Sequence, residues 1–393
     1  MELFLWNMIH CRKRAIVVIL NLQLRMARVS YPPAAGNFSS EANDLVKGIM
    51  HIVDAFYAAL EKISGNNVKI VVSVSGWPIA GAIIGANYGM QADNLPSPIN
   101  VITLYMHENI PLLRLFEPHS DVLDALRGSI IKVSLGVKNE DVPDIAMNTN
   151  TAMQWVNTNI VPFIREVDIG WITVGNEMVP GPNANLIPQA MNNLLSALNS
   201  ARITNIKIST VVNANVLGVS SPPSAGTFSD EASATMQGIV TWLNGTNNPL
   251  LINVYPYIAF ASNPTQIPLD YALFNAQQPV IDGEYTYYSL FEAMVDAFYA
   301  ALEKIGANNL NVVVSETGWP NAGNDPYTSK QNAQTYNQEL IDKMKQTGTP
   351  RRPNNILDIF IFSMFNEDKK AVGVEQNWGF HYPNMDAVYP LTF

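Results

Sequence analysis

Short apolar runs alternate with longer stretches of helical period from residue 83 to the C-terminus, and this alternation restricts the possible folds most strongly. Apolar runs bounded by turn residues are typical of buried strands, and strands that alternate with helices predict a parallel sheet covered by helices. Eight candidate strands can be counted, at 83–88, 112–117, 130–137, 169–175, 206–212, 250–255, 312–315 and 359–365. Eight parallel strands close a (β/α)8 barrel, so residues 83–393 are predicted to form a single α/β TIM barrel.

The stretches between the candidate strands carry apolar residues at helical spacing. Two clear examples are Ile187, Met191, Leu194 and Leu198, and Ala333, Tyr336, Leu340 and Met344. Such faces are expected to pack on the sheet. The stretch at 258–287 is long and rich in Pro, Asn and Tyr, which indicates an elaborated loop of the kind that surrounds a barrel active site.

The N-terminal part of the chain repeats a later part incompletely. Residues 53–63 recur identically at 295–305, and 30–42 resemble 220–232, but roughly 241–293 has no upstream counterpart. A solenoid would stack complete units, so residues 1–82 are interpreted as a partial duplicate of 220–323. Val74 stands where the later copy has Glu316, and valine can neither attack nor transfer a proton. We therefore expect 1–82 to be non-catalytic.

Composition excludes several classes of function. The net charge is −10, and the only dense basic run is 12–14, so the sequence predicts no nucleic-acid partner. The single Cys11 and five scattered histidines predict no internal disulfide, no metal and no cofactor. The apolar run at 15–20 follows basic residues but imitates a secretory signal poorly, and it is too short to span a membrane.

Three acidic residues follow apolar runs at the ends of predicted strands: Glu177, Glu316 and Glu367. Barrel enzymes carry their reacting groups at this end of the strands. A single such glutamate is more often a helix cap or the partner of a buried base. Three on the same rim indicate a site, because burying several carboxylates together is unfavourable without a functional reason.

Two of these acids suit glycoside hydrolysis. A retaining glycosidase needs two carboxyl groups about 5–5.5 Å apart, one to attack the anomeric carbon and one to protonate the leaving oxygen. The fourth and seventh strands are expected to face each other, which would bring Glu177 and Glu316 together. Burial beside a second carboxylate would raise the pKa of the proton donor.

Six segments carry a resemblance to a known family: Ile84-Gly85-Ala86-Asn87-Tyr88-Gly89, Val174-Gly175-Asn176-Glu177, Asn253-Val254-Tyr255-Pro256-Tyr257, Val314-Ser315-Glu316-Thr317-Gly318-Trp319-Pro320, Met364-Phe365-Asn366-Glu367 and Glu375-Gln376-Asn377-Trp378-Gly379. Together they resemble the plant endo-1,3-β-glucosidases of glycoside hydrolase family 17 over nearly all of 83–393. The resemblance implies Glu316 as nucleophile, Glu177 as acid/base and Asn176 as a contact of the sugar 2-hydroxyl. It also implies a role for Glu367, Lys370 and Glu375 in positioning sugar hydroxyls and tuning the nucleophile.

Four aromatic residues near strand ends are further candidates for substrate binding, because a pyranose presents C–H groups to a flat π surface. They are Tyr88, Tyr255, Tyr257 and Trp319. The alternative is packing in the core.

The resemblance implies endo-hydrolysis of 1,3-β-glucan by a monomer, in carbohydrate metabolism and plant defence, outside the cell or in the vacuole. Two alternatives stay open. A non-catalytic glucan-binding protein could use the same fold, and loop-dependent specificity could select mixed-linkage 1,3-1,4-β-glucan instead.

Overall fold

A computed structural model describes residues 82–393 of the chain. The predicted duplicate at 1–82 lies outside these residues, apart from its last position. The eight long-range strands of the described part are β1 (Ile84–Asn87), β2 (Leu112–Leu115), β3 (Lys132–Val137), β4 (Asp168–Asn176), β5 (Lys207–Val212), β6 (Leu250–Asn253), β7 (Val312–Thr317) and β8 (Ile359–Ile361).

These strands form a closed barrel in chain order. Each strand is parallel to the next, and β8 closes on β1 through the pairing of Ile359 with Ile84. All eight coincide with predicted strands, which confirms the (β/α)8 prediction. Because every strand runs in the same direction, all eight carboxyl ends meet at one rim.

Every connection between consecutive strands contains at least one helix. In chain order the helices are α1 (Pro98–His107), α2 (Ser120–Ala125), α3 (Val142–Met147), α4 (Thr149–Asn159), α5 (Ile187–Ser200), α6 (Asp230–Thr246), α7 (Pro256–Ser262), α8 (Leu269–Ala272), α9 (Leu290–Lys304) and α10 (Lys330–Met344). The predicted apolar faces of α5 and α10 are fully buried. Ser229, Ser289 and Ser329 cap three of these helices by accepting a hydrogen bond from a first-turn N–H. Among the described residues, no helix is long and apolar enough to cross a membrane.

The barrel interior is apolar towards the amino ends of the strands and polar towards their carboxyl ends. Leu112, Trp171, Val211, Leu251, Val313 and Phe360 form one buried apolar cluster inside it. Side chains alternate between the two faces of a strand, so the residue two positions after a cluster member also points inward. These residues are Arg114 on β2, Asn253 on β6 and Ser315 on β7. All three are buried. The polar layer therefore lies directly beneath the rim.

Two details differ from the sequence-based prediction. Strand β6 ends at Asn253 rather than at residue 255, because Pro256 begins α7 and cannot donate a ladder hydrogen bond. The predicted loop at 258–287 contains most of α7, all of α8 and a hairpin of Val280–Asp282 with Tyr285–Tyr287. Only its first part, on α7, lines the cleft described below.

Candidate active site

A cleft of about 930 Å³ opens at the carboxyl ends of the strands. The ends of all eight strands, or the loops that follow them, contribute to its lining. Both predicted carboxylates, Glu177 and Glu316, line it. The barrel therefore brings these two acids into one cavity from segments that are far apart in the sequence.

Glu316 lies inside β7, one residue before its end, and the residue is buried at 6% exposure. The register between β7 and β6 shifts between Val314 and Glu316. Such a bulge allows two consecutive residues to oppose one partner, and it re-aims the side chain that follows. Ser315 and Glu316 can thus both contact groups of the barrel interior.

Three side chains donate hydrogen bonds to the Glu316 carboxylate. Arg114 Nη1 lies 2.6 Å and Asn253 Nδ2 lies 2.9 Å from Oε1, and the Tyr255 hydroxyl lies 2.7 Å from Oε2. Hydrogen bonds to an ionised group are short and strong, so these donors fix the carboxylate in position and stabilise its negative charge.

Arg114 is the buried cation of the site. Its side chain is 1% exposed, and it ion-pairs with Glu316. The other end of the guanidinium fork, Nη2, donates to Asn176 Oδ1 over 2.8 Å. The guanidinium lies 4.3 Å from the ring centroid of Phe116. A single arginine on β2 therefore links the end of β4 to the acid on β7.

Glu177 follows β4 directly and has an unusual backbone. Its φ is 55°, in the left-handed region that residues with a side chain rarely adopt. Its N–H donates to Val211 O over 2.9 Å, which holds this conformation. Gly175 has a φ of 73°, which favours glycine, and a Cβ there would lie 2.4 Å from the sulfur of Met178 and would force that side chain to move. This local geometry sets the direction of the Glu177 side chain.

One amide connects the two acids. Asn253 Nδ2 donates to Glu177 Oε1 over 2.6 Å and to Glu316 Oε1 over 2.9 Å. Glu177 Oε1 and Glu316 Oε1 are therefore separated by no more than the sum of these distances, about 5.5 Å, an upper limit that is compatible with a retaining pair of carboxyl groups. In the barrel order β5 and β6 lie between β4 and β7, and Asn253 on β6 spans the gap.

The surroundings raise the pKa values of two groups of the site, Glu177 and Tyr255. Burial, followed by the negative charge of Glu316, raises the pKa of Glu177, and hydrogen bonds from Asn253 and Asn213 offset part of this rise. Burial and the charge of Glu316 raise the pKa of Tyr255 far above its usual range. Tyr255 therefore remains a phenol that donates to Glu316.

Asn176 is held on three sides. Besides the bond from Arg114, its N–H donates to Asn139 Oδ1 over 2.7 Å, and its carbonyl accepts from Asn139 Nδ2 over 2.9 Å. The loop after β3 is thereby clamped to the end of β4. The Asn176 amide group is half-buried at the cleft wall beside Glu177.

The remaining polar candidates lie at the β8 side of the cleft. Glu367 accepts a hydrogen bond from the N–H of Gln91 and forms an ion pair with Lys370, whose Nζ lies 3.1 Å from Oε2. A Cβ at Gly89 would lie 2.4 Å from the Glu367 carboxylate, so glycine is needed for this approach. Glu375 is exposed in the 3-10 turn Val374–Gln376.

Two aromatic predictions are corrected by the structure. Trp319 is fully buried, and its Nε1 donates to Tyr327 O over 3.0 Å. Tyr257 is 4% exposed and packs on Trp319 with ring centroids 5.2 Å apart. Neither residue lines the cleft, so neither ring face is available there to a sugar. Tyr88 and Tyr255 do line the cleft.

A third correction concerns the cation beside the nucleophile candidate. The family resemblance implies Lys370 as a tuning residue, but Lys370 pairs with Glu367, and Arg114 is the cation that contacts Glu316. Arg114 and the bridging amide of Asn253 are not among the predicted site residues. Arg114 could have been recognised as the charged residue inside the apolar run Leu112-Leu113-Arg114-Leu115, because a charge that is buried within a strand needs a partner.

Comparison with known proteins is consistent with this geometry. The family model described as glycosyl hydrolases family 17 matches residues 84–393. Lichenase-2 of Hordeum vulgare is 45% identical over 311 residues, which cover 79% of this chain and 98% of that protein. The probable glucan endo-1,3-beta-glucosidase BG4 of Arabidopsis thaliana is 43% identical over 321 residues, which cover 81% of this chain and 93% of that protein.

A similar solved structure comes from a study of two plant beta-glucan endohydrolases with distinct substrate specificities. It superposes with a TM-score of 0.76 at 44% identity, covering 79% of this chain and all of the other. The matches by sequence and the match by structure thus cover the same part of the chain.

Proposed function

The chain belongs to glycosyl hydrolases family 17, and from this premise we propose that it cleaves 1,3-β-glucan internally with retention of configuration. Glu316 acts as the nucleophile and Glu177 as the acid and then the base. The observation that carries the proposal is the single Asn253 amide that binds both carboxylates, because it holds one oxygen of each within about 5.5 Å of the other, as a retaining pair requires.

In the first step, a Glu316 oxygen attacks the anomeric carbon while Glu177 protonates the departing glycosidic oxygen. The donors on Glu316 keep the carboxylate oriented for attack, and the raised pKa of Glu177 keeps a protonated fraction available. The bond from the anomeric carbon to the leaving oxygen breaks as the bond to Glu316 forms, which gives a glycosyl-enzyme ester and a shortened glucan.

In the second step, the now ionised Glu177 takes a proton from water, and the water oxygen attacks the same anomeric carbon. The ester bond to Glu316 breaks and its electron pair returns to the carboxylate, where Arg114 stabilises the charge. Two displacements on one carbon restore the original configuration. In this proposal Asn176 binds the sugar 2-hydroxyl through its side-chain amide, and its hydrogen bonds with Arg114 and Asn139 support this role by fixing its position.

The role of Glu316 is tested by Glu316→Gln, which keeps the shape of the side chain and removes the charge. Release of reducing ends from a soluble 1,3-β-glucan is expected to fall by several orders of magnitude, with an unchanged circular dichroism spectrum. Glu231→Gln, an exposed site on α6, is the matched control and keeps full activity. Undiminished turnover by the Glu316 variant would disprove the assignment, and glucan binding without any turnover by the wild type would favour a non-catalytic binder.

Mixed-linkage 1,3-1,4-β-glucan is a second candidate substrate, favoured by the 45% identity to Lichenase-2, which is close to the 43% identity to the probable glucan endo-1,3-beta-glucosidase BG4. Both polymers need the same catalytic pair, and the linkage preference depends on contacts along the cleft. Product analysis on the two polymers side by side decides between them.

We also propose a secreted or vacuolar location and a role in plant defence. This part of the proposal rests on the resemblance to the plant endo-1,3-β-glucosidases alone. Fractionation of the plant tissue that expresses the protein tests this part of the proposal.

A further inference from the structure

The two walls of the cleft differ in character. On the side of the loops after β2 and β3, the lining includes Glu117, His119 and Lys138, here called the charged wall. Facing it from the β6 side, the lining includes Ile258, Ala259 and Met294, and Ile258 is 52% exposed. The catalytic steps described above use none of these six residues.

The charged wall is internally connected. Lys138 Nζ forms an ion pair with Glu117 Oε2, and His119 Nε2 lies 3.2 Å from Glu117 Oε1. Burial lowers the pKa of His119, so its ring is neutral at neutral pH and Lys138 supplies the positive charge. The side chains of Glu117 and Lys138 remain 33% and 41% exposed, so a ligand in the cleft can reach both.

The backbone beneath the charged wall is fixed to the reacting centre. Glu117 follows Phe116, whose ring lies under the Arg114 guanidinium. Lys138 precedes Asn139, which makes two hydrogen bonds to the backbone of Asn176. The backbone that carries the Glu117–Lys138 pair is therefore anchored to the reacting centre rather than lying on a loose rim.

The Glu117–Lys138 ion pair adds little to the stability of the fold, because partly exposed ion pairs contribute about 0–1 kcal/mol. Binding of a ligand explains the pair better. A carboxylate accepts and an ammonium donates, so together they match both hydrogen-bonding roles of sugar hydroxyls through charge-assisted bonds. The apolar side chains across the cleft suit the C–H faces of a pyranose ring.

We propose that Glu117 and Lys138 form a binding subsite for one glucosyl residue of the substrate, away from the bond that is cut. The proposal rests on the proposed function. The subsite contributes only when the bound chain is long enough to fill it, and it then favours longer chains over shorter ones.

The test compares kcat/KM for 1,3-β-linked gluco-oligosaccharides from trimer to heptamer, with wild type, Lys138→Ala and Glu117→Gln. In the wild type kcat/KM rises with chain length. In both variants we expect a loss of about tenfold for chains that fill the subsite and no change for the shorter ones. Lys207→Ala, on the opposite end of the barrel, is the matched control and keeps the wild-type length profile.

Two further measurements separate the outcomes. The melting temperatures of both variants should match that of the wild type, and the double variant should lose little more than either single one, because both changes remove the same subsite. Loss at every chain length, or an unchanged length profile, would overturn the subsite alone. A wild type that cleaves no member of the series would overturn the proposed function itself.

Discussion

Arg114 and Glu316 form a buried ion pair at the centre of the barrel, with Nη1 2.6 Å from Oε1 and side chains that are 1% and 8% exposed. Two desolvated charges persist only if each is well paired. Here the guanidinium also binds Asn87 and Asn176, and the carboxylate also binds Asn253 and Tyr255. The pair therefore organises the reacting groups and also affects the stability of the fold.

Removal of the arginine should destabilise the protein strongly. Arg114→Ala leaves Glu316 buried without its cation, a situation that costs about 3–5 kcal/mol. Urea unfolding measures the loss. Arg127→Ala removes a solvent-accessible arginine that pairs with Asp124 and Glu166, and we expect a much smaller loss, because exposed ion pairs contribute little to stability. Equal losses for the two variants would contradict the importance of the buried pair.

The Tyr255 hydroxyl should contribute to catalysis rather than to folding. Tyr255→Phe removes a donor to Glu316, and a hydrogen bond to a charged group is worth about 1.5–3 kcal/mol, so kcat/KM should fall roughly 10- to 100-fold. Tyr257→Phe removes a hydroxyl that accepts from Asn324 away from the cleft, and kcat/KM should stay within about twofold. Steady-state kinetics on one glucan compares both, and a Tyr255 variant as active as the Tyr257 variant would refute the role.

Glu177 should set the alkaline limb of the pH profile. It must be protonated to act as the acid, so kcat/KM falls as the pH rises through its pKa. Burial and the charge of Glu316 raise that pKa, so the limb should lie above the ordinary range of a glutamate. In Glu177→Gln this limb should disappear from the residual activity. A pH profile of kcat/KM with the same limb in the variant would assign the titration to another group.

The functional residues in these predictions could be identified from the sequence to different degrees. The strands and the acids at their ends were predictable, because apolar runs alternate with helical faces and barrel chemistry lies at the carboxyl ends. Arg114 was not, because a charge within a strand does not disclose its partner across the barrel. Trp319 was predicted to bind substrate because it lies just beyond the end of a strand, but it is buried in the core. The position of Trp319 along the chain did not show whether its side chain faces the cleft or the core.

The backbone irregularities were also not predictable. The register shift before Glu316 and the left-handed φ of Glu177 arise from tertiary packing. Gly175 offered a partial signal, since an isolated glycine at a strand end often marks a bulge or a close approach of the backbone.

Stability should increase as the pH falls towards 4, in part through Asp296. Burial raises its pKa to about 6, above the value near 3.9 of an unfolded aspartate, so the folded state binds the proton more tightly. The resulting stabilisation is complete below about pH 4 and is lost as the pH rises through 6, a difference of roughly 3 kcal/mol. Unfolding free energies between pH 4 and 7 measure it.

Asp296→Asn should flatten this pH dependence, because an amide does not titrate and can still accept the bond from the Arg351 N–H. Asp342→Asn, an exposed change on α10, should leave the slope as in the wild type. An unchanged slope in the Asp296 variant would show that other buried acids account for it.

The anomeric form of the first product tests the central claim most directly. Proton nuclear magnetic resonance, recorded from the moment the enzyme meets a 1,3-β-glucan oligosaccharide, distinguishes newly formed α and β reducing ends before mutarotation mixes them. Retention by Glu316 and Glu177 predicts that the β-anomer forms first. Initial formation of the α-anomer would mean a single displacement and would contradict the assignment of Glu316 as nucleophile.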